Sequence, residues 1–270
     1  MKKKHILTLI VGIIVAGCLL LESNKLRHSE AHEAIQAKHT TQVSHTGINN
    51  LIPATVNDGA VVEHTAYTLE YSETHEQARW VFYLLTRQYV QGTEPRTNDF
   101  RPDECVSTES AQLDDYRRSG YTRGHLCPAG DMKWDATAMS ETFLLSNMSP
   151  QLQDFNDGIW NRIEGKVRHW ANVYDSIIVV TGPVLRGGLP TIGSNKVSVP
   201  EQFYKIAYDP HRQSAVCFLV PHTKVSGKLQ NYTVSIDSLE SVTGIDFFPA
   251  LPDDIEDPLE AENHALQWKW

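Results

Sequence analysis

The chain has 270 residues and a formal net charge of −9, so it is long enough to bury a core as one large or two small domains. Its charged fraction of 21% is ordinary for a globular protein. The acidic balance argues weakly against binding of nucleic acid, but the charge is uneven. Residues 251–270 hold six acids and one base, a net of −5, which leaves −4 for the other 250 residues.

The N-terminus has the pattern of an export signal. Lys2, Lys3 and Lys4 precede an apolar run of 16 residues at positions 6–21. A helix of that length spans roughly 24 Å, short of the ~30 Å hydrocarbon core. The sequence at 15–18 resembles the lipobox of bacterial lipoproteins, in which the cysteine, here Cys18, is lipidated. Lipidation, an uncleaved N-terminal anchor and a soluble secreted product all predict an extracytoplasmic protein, in the periplasm or at the cell surface.

Composition divides the remaining chain. After a signal or anchor at 1–21, residues 22–60 are polar and aperiodic, which is typical of a tether. We expect the folded body at 61–250 and a solvated acidic tail at 251–270.

Taken in chain order, the periodicity favours strands over 67–71 and 78–86, and then a polar loop over 93–104. A helical turn is predicted at 113–119, and a strand or short helix at 139–145. Helical spacing over 157–173 places Ile159, Trp160, Ile163, Val167 and Trp170 on one face. Strands follow over 176–180, 203–208 and 215–220, and a helix over 235–242. Strands in hairpin-like succession predict an α+β fold with an antiparallel sheet.

Two stretches carry residues suited to chemistry. In the first, Arg123 and His125 flank Gly124, which permits close approach of a ligand. A histidine of near-neutral pKa can accept a proton from water, and an arginine can neutralise phosphate.

The second stretch supplies carboxamides, Asn147, Gln151 and Asn156, the last at the entrance of the predicted helix. Glu164 and Arg168 follow on roughly the same helix face. Mg²⁺ retains several waters and needs few protein ligands. Taken alone, Asn156 also suits a helix cap and Glu164 with Arg168 an ordinary i,i+4 pair.

Together these motifs resemble the DNA/RNA non-specific endonuclease family, the group of the Serratia nuclease and endonuclease G. The matching patterns are Arg-Gly-His-Leu at 123–126, Asn-x-x-Pro-Gln at 147–151 and Asn-x-Gly-x-Trp-x-x-x-Glu at 156–164. The resemblance extends from about 67 to 249. One position departs from it, because the family usually has aspartate where this chain has Thr122. We expect Thr122 to support the loop by hydrogen bonding.

The resemblance implies a ββα-metal (His-Me finger) unit within an antiparallel sheet. It further implies that His125 is the general base, that Asn156 is the direct ligand of Mg²⁺, with Mn²⁺ able to substitute, and that Glu164 orients water on the metal. Arg123 and Arg168 would hold phosphate charge. Asn147 and Gln151 would arrange the loop and the substrate, and an upstream arginine, Arg96 or Arg101, would join the site.

The function implied is Mg²⁺-dependent cleavage of DNA and RNA to 5′-phosphate ends, with the N-terminal segment as a membrane partner. The sequence does not define the oligomeric state, and a homodimer is compatible with the sequence. The alternative is a catalytically weakened nucleic-acid-binding surface protein of the same fold. The sequence lacks Gly-x-Ser-x-Gly and His-Glu-x-x-His, which excludes the usual serine esterases and zinc proteases. Packing is the expected role of Cys127, with pairing to Cys105 left open by spacing alone.

Overall fold

The structure, a computed structural model, describes residues 51–56 and 59–270. The predicted signal or anchor at 1–21, including Cys18, lies outside the described residues, as do positions 22–50 of the predicted tether. No helix in the described part of the chain is long and apolar enough to cross a membrane. Asn50–Trp270 is one compact unit, and its first strand begins at Gly59, close to the expected start at residue 61.

A seven-stranded antiparallel sheet forms the centre of this unit. Its strand order is β1-β2-β3-β6-β9-β10-β11, and every neighbouring pair is antiparallel. This confirms the α+β fold with an antiparallel sheet. The bounds of these strands are β1 Gly59–Glu63, β2 Thr68–Ser72, β3 Gln77–Thr86, β6 Ser176–Pro183, β9 Gln202–Asp209, β10 Ser214–Pro221 and β11 Thr233–Val234.

Two smaller sheets lie outside the main one. In the first, β4 (Thr122–His125) pairs antiparallel with β5 (Met148–Gln151). In the second, β7 (Thr191–Ile192) pairs with β8 (Val197–Ser198). The first pair joins the two sequence motifs, because Thr122 lies opposite Gln151 and His125 opposite Met148.

The helices are short except for the one that follows the second motif. They are α1 Arg87–Val90, α2 Leu113–Tyr116, α3 Ala136–Glu141, α4 Gln153–Phe155, α5 Asn161–Tyr174, α6 Ile236–Thr243 and α7 Asp253–Ala261. The segment predicted at 139–145 as a strand or short helix is therefore helical only as far as Glu141, in a helix that begins at Ala136, and a turn follows it. Ser235 caps α6 through a hydrogen bond to the backbone of Ser238, and Gly244 ends it in the left-handed conformation.

Helix α5 lies against β6 and β3. The apolar face predicted from its spacing is buried, with Trp160, Ile163, Val167 and Trp170 at most 1% exposed. The helix begins later than predicted, at Asn161, because the five residues Asn156–Trp160 form a π-helical turn. A kink at Gly158, with φ −90° and ψ −108°, interrupts the regular helix there.

The acidic C-terminal segment differs from the solvated end that its composition suggested. It forms α7 and then returns to α5, where the ring of Trp268 lies 4.7 Å from that of Trp170. Trp170 Nε1 donates to the carbonyl of Lys269 at 2.6 Å. Charge alone could not reveal this packing; the signal in the sequence is the spacing of Leu251, Ile255 and Leu259, which lie four residues apart as on one face of a helix.

Candidate active site

Pairing of β4 with β5 places the two motifs side by side. A Cβ at Gly124 would lie 2.1 Å from the side chain of Gln151, so a larger residue at 124 would displace the carboxamide packed over it. The chain then continues from β5 through α4 and the π-helical turn into α5. The result is two strands and a helix, the ββα arrangement that the family resemblance implied.

A cleft of about 420 Å³ opens between β4 and the start of α5. It brings together residues that are as many as 72 positions apart in the sequence, from Arg96 to Arg168. The polar side chains that line it are Arg96, His125, Asn156, Asp157, Asn161, Glu164 and Arg168. Since the cleft combines a histidine, oxygen ligands and arginines, it has the groups needed to bind and attack a phosphate ester.

His125 is 8% exposed and lies in a mainly aromatic pocket. Its ring is edge-on to Phe143 at 5.0 Å and to Phe100 at 5.8 Å. Burial lowers the pKa of His125 to about 3, and the positive charges of Arg96 and Arg123 add to the effect. The imidazole is therefore neutral at physiological pH, and its buried Nε2 has no partner among the described residues. A neutral imidazole is the form that accepts a proton.

Asn156 is held by the residue that departs from the family pattern. Its Nδ2 donates to Thr122 Oγ1 at 3.3 Å, and the same hydroxyl donates to the carbonyl of Gln151 at 3.0 Å. This bond fixes the orientation of the carboxamide and leaves Oδ1 without a hydrogen bond from any described residue. The loop-supporting role expected of Thr122 is therefore present, and it extends to Asn156.

Glu164 and Arg168 lie one turn apart on α5, with 3.9 Å between Glu164 Oε2 and Arg168 Nη1. Burial raises the pKa of the Glu164 carboxyl to about 7, against the lowering effect of the nearby Lys205 charge. The Glu164 side chain is 12% exposed and faces the cleft. It can therefore reach water bound in the cleft.

Two charged residues that the sequence analysis missed support this helix. Asp131 accepts from Arg168 Nη1 at 2.8 Å and from the hydroxyl of Tyr83 at 2.9 Å. Lys205 is fully buried on β9, where Nζ donates to the carbonyl of Leu126 at 3.1 Å and lies 4.8 Å from the Trp160 ring centre. Neither residue belongs to a motif, and only tertiary structure places them beside Glu164.

Of the three other predicted arginines, only Arg96 lies in this cleft. Arg123 lines a neighbouring cleft of about 580 Å³ and stacks over Phe100 at 4.1 Å. Of the two upstream candidates, Arg96 lines the first cleft. Arg101 instead binds the side chain of Asp99 and the carbonyl of Ser140.

The two remaining carboxamides are buried. Asn147 bonds to the backbone of Cys127 in both directions at 2.9 Å and donates to the carbonyl of Thr142 at 2.8 Å. It therefore holds the loop after β4 and does not line the cleft. Gln151 is fully buried over Gly124. Cys105, Cys127 and Cys217 are all free thiols, so no disulfide links Cys105 to Cys127.

The cleft suits a hard divalent cation. It offers the Asn156 carboxamide oxygen and the carboxylates of Asp157 and Glu164, whereas none of the three cysteines in the described part of the chain lines it. Oxygen donors with room for water are the environment that Mg²⁺ prefers. Groups of three clustered His, Cys, Asp or Glu ligands in the described residues lie outside this cleft, so a metal here would rely on few protein ligands.

Comparisons with known proteins identify the family of this chain. Residues 47–254 match the DNA/RNA non-specific endonuclease family. The mitochondrial nuclease EXOG of Danio rerio is 37% identical over 207 residues, which cover 70% of this chain and 60% of that protein. EXOG of Mus musculus is 30% identical over 90% of this chain and 71% of its own length. Human mitochondrial endonuclease G is 32% identical over 68% of each chain.

A solved structure shows the same fold. A chain from the crystal structure of the EndoG/EndoGI complex superposes with a TM-score of 0.70 at 30% identity, covering 78% of this chain and 94% of that one. The chain therefore belongs to the DNA/RNA non-specific endonuclease family, whose members are nucleic-acid-cleaving, metal-dependent hydrolases. It spans about three fifths of the zebrafish relative's length.

The raised pKa of Glu164 predicts a pH dependence of stability. Glu164 binds its proton more tightly in the folded state, so its contribution is complete below pH 4.5 and is lost as the pH rises to about 7. In EDTA, we expect the free energy of unfolding of the wild type to fall relative to Glu164→Gln by on the order of 2 kcal/mol over this window. Urea denaturation at pH 4.5, 6 and 7.5 measures this change in the free energy of unfolding. The same substitution at the exposed Glu63 is the matched control, and a parallel pH response in wild type and Glu164→Gln would contradict the prediction.

Proposed function

We propose that the chain is an endonuclease that uses a divalent metal, Mg²⁺ with Mn²⁺ as substitute, to hydrolyse phosphodiester bonds of DNA and RNA to 5′-phosphate ends. The observation that carries this proposal is the juxtaposition of a neutral His125 with Asn156, Glu164 and two arginines in one cleft. A protein that only binds nucleic acid has no need of a buried proton acceptor, which costs stability at low pH because its pKa is depressed.

The reaction assigned to the cleft begins with water beside His125. The imidazole takes a proton from this water, and the oxygen attacks phosphorus in line with the leaving 3′ oxygen. The depressed pKa of His125 keeps the base unprotonated, although it also limits its proton affinity. The closeness of phosphate would raise that affinity during the reaction, because a negative charge stabilises imidazolium.

Arg96 and Arg168 border the cleft and provide positive charge for the phosphate oxygens. Arg168 is fixed by Asp131, which limits its rotation. Asn156 would hold the metal through Oδ1 and Glu164 would orient its water ligands. When bound, the metal would neutralise charge that develops on phosphate and on the leaving oxygen.

Broad substrate use follows from the kind of contact. Contacts to phosphate and metal carry no sequence information. The neighbouring cleft carries Arg117, Arg123 and the ring of Tyr121. Arginines and an aromatic ring can bind phosphates and stack on any base. Because Arg123 and Phe100 connect this cleft to His125, we infer that a nucleic-acid strand continues from one cleft into the other.

We further propose that the chain is exported and anchored to a membrane. The basic residues before the apolar run, and the lipobox-like sequence that ends at Cys18, support this proposal. The EXOG and endonuclease G relatives are named as mitochondrial proteins, so the location of this chain has to be tested directly.

His125→Ala should abolish cleavage of plasmid DNA and of RNA while substrate binding persists, because the base is lost and the arginines remain. A fall of at least about 10³-fold is expected from the usual contribution of acid–base catalysis together with the loss of water positioning. Nicking assays in Mg²⁺ measure cleavage, and gel shifts measure binding.

In the same assays, EDTA should stop the wild type and Mg²⁺ should restore it. Exposed His211→Ala on the β9–β10 turn is the control substitution and should remain active. Undiminished cleavage by His125→Ala would refute the mechanism, and binding without any cleavage by the wild type would favour the binding-only alternative.

Thr122→Val should reduce cleavage by about tenfold, because it removes the hydroxyl that orients Asn156 while keeping the shape of the side chain. The Mg²⁺ concentration required for half-maximal rate should rise. Thr122→Ser retains the hydroxyl and should stay close to the wild type. If Val and Ser variants have equal rates and equal Mg²⁺ dependence, the hydroxyl has no positioning role.

Labelling with a radioactive fatty acid tests the anchor. The full chain should fractionate with membranes and carry the label, and Cys18→Ala should lose the label because the acceptor thiol is gone. A membrane-bound wild type without label would instead indicate an uncleaved N-terminal anchor. Recovery of the wild type in the cytoplasmic fraction would exclude export.

A further inference from the structure

The C-terminal helices concentrate negative charge. Between residues 235 and 262 there are nine acids and no lysine or arginine. These residues form α6, the connection that follows it and α7, and the two helices pack against each other. Like charges on facing helices repel, so a group that neutralises some of them would stabilise the packing of the two helices.

Three of the carboxylates meet between the helices. One oxygen each from Asp237, Glu240 and Glu260 lies within 4.8 Å of the other two. Glu240 Oε1 accepts from the backbone N–H of Phe247 at 2.7 Å. The ion pairs found among residues 51–56 and 59–270 include none of these three acids. A cation from the protein therefore does not balance the cluster in the described chain.

Glu260 is the member that most requires a partner. The residue is 8% exposed, and its Oε1 is buried without a hydrogen-bond partner among the described residues. Burial raises the pKa of its carboxyl to about 8, and the charges of Glu240 and Glu256 add to the effect. An ionised carboxylate in such surroundings is costly unless a proton or a metal ion compensates it.

We propose that Asp237, Glu240 and Glu260 form a binding site for a divalent cation, with Ca²⁺ as the preferred ion. The ligands are all carboxylate oxygens, which suit a hard cation, and no cysteine or histidine belongs to the cluster. Ca²⁺ accepts irregular oxygen coordination completed by water. Asp237 is exposed, which gives the ion a path from solvent to the buried Glu260.

This site is separate from the catalytic cleft and shares no residue with it. Glu260 lies beyond residues 47–254, the region that matches the family. Binding of an ion at this site would have a structural consequence. By joining α7 to α6, the ion would hold the segment that delivers Trp268 and Trp270 to Trp170 on α5. The proposal does not depend on nuclease activity.

Thermal unfolding of the full chain tests the site. Asn156→Ala serves as the background, because it removes the proposed metal ligand of the catalytic cleft. At pH 7.5, Ca²⁺ at about 100 times its Kd should raise the Tm by about 5–10 °C over the value in EDTA. NaCl at equal ionic strength should not reproduce this shift.

Added to this background, Glu260→Gln should abolish the Ca²⁺ shift while leaving the Tm in EDTA equal or higher, because the buried carboxyl no longer has to be held protonated at a pH far above its ordinary pKa. The double change Asp237→Asn and Glu240→Gln provides a second test should Glu260→Gln fold poorly. Asp254→Asn is the matched control, since Asp254 is an exposed acid on α7 outside the cluster. It should keep the full shift.

Two results would overturn the proposal. In one, Glu260→Gln and the double variant keep the same Ca²⁺ shift as Asp254→Asn, and the ion then binds elsewhere. In the other, Ca²⁺ has no effect beyond NaCl, while lowering the pH from 8 to 6 stabilises the background protein but not Glu260→Gln. A proton and not a metal ion would then neutralise the cluster.

Discussion

The hydroxyl of Thr122 joins the three elements on which the site depends. It donates to Gln151 on β5 and accepts from Asn156 in the π-helical turn, while Thr122 itself begins β4. Strand register then fixes His125 three residues further along the same strand. The distance between the proton acceptor and the carboxamide oxygen is consequently set by backbone pairing and one side-chain hydroxyl. A hydroxyl can do both tasks because it is a donor and an acceptor, whereas an ionised aspartate, which the family resemblance leads us to expect at this position, can only accept.

Behind this contact, a buried set of charges holds α5 in position. Lys205, Asp131 and Arg168 surround Glu164, and each compensates part of the cost of burying another. The aromatic rings around His125 act differently, because they exclude water from the imidazole and so keep it neutral. One fold thus maintains an acid with a raised pKa and a base with a lowered pKa in the same cleft. Such opposed shifts are typical of catalytic sites and require differences in local environment over a few ångströms.

Much of this arrangement was predictable where the sequence has a clear period or motif. Alternation predicted the long strands, and 3.6-residue spacing predicted the buried face of α5. His125, Asn156 and Glu164 were predicted because their motifs are short and ordered, and Arg168 because it lies one helical turn after Glu164. The choice between Arg96 and Arg101 could not be predicted, because a loop without periodicity does not show which way its side chains point. Asp131 and Lys205 escaped notice because charged residues are usually exposed, and their burial arises from contacts with distant strands. Helix α7 was missed because its acids and an internal Pro258 conceal the apolar pattern.

Packing of the C-terminal segment on α5 also affects how the chain folds while it is being synthesised. Trp170 binds the carbonyl of Lys269, which lies 99 positions later in the sequence. At about 5–20 residues per second, a ribosome needs roughly 5–20 s to make the intervening chain. During that time the Trp170 side of α5 lacks the rings of Trp268 and Trp270 that later pack on it, so the helix that carries Glu164 and Arg168 cannot reach its final packing. We therefore expect the nascent chain to lack the finished cleft, which would delay any cleavage of nucleic acid inside the cell that produces it.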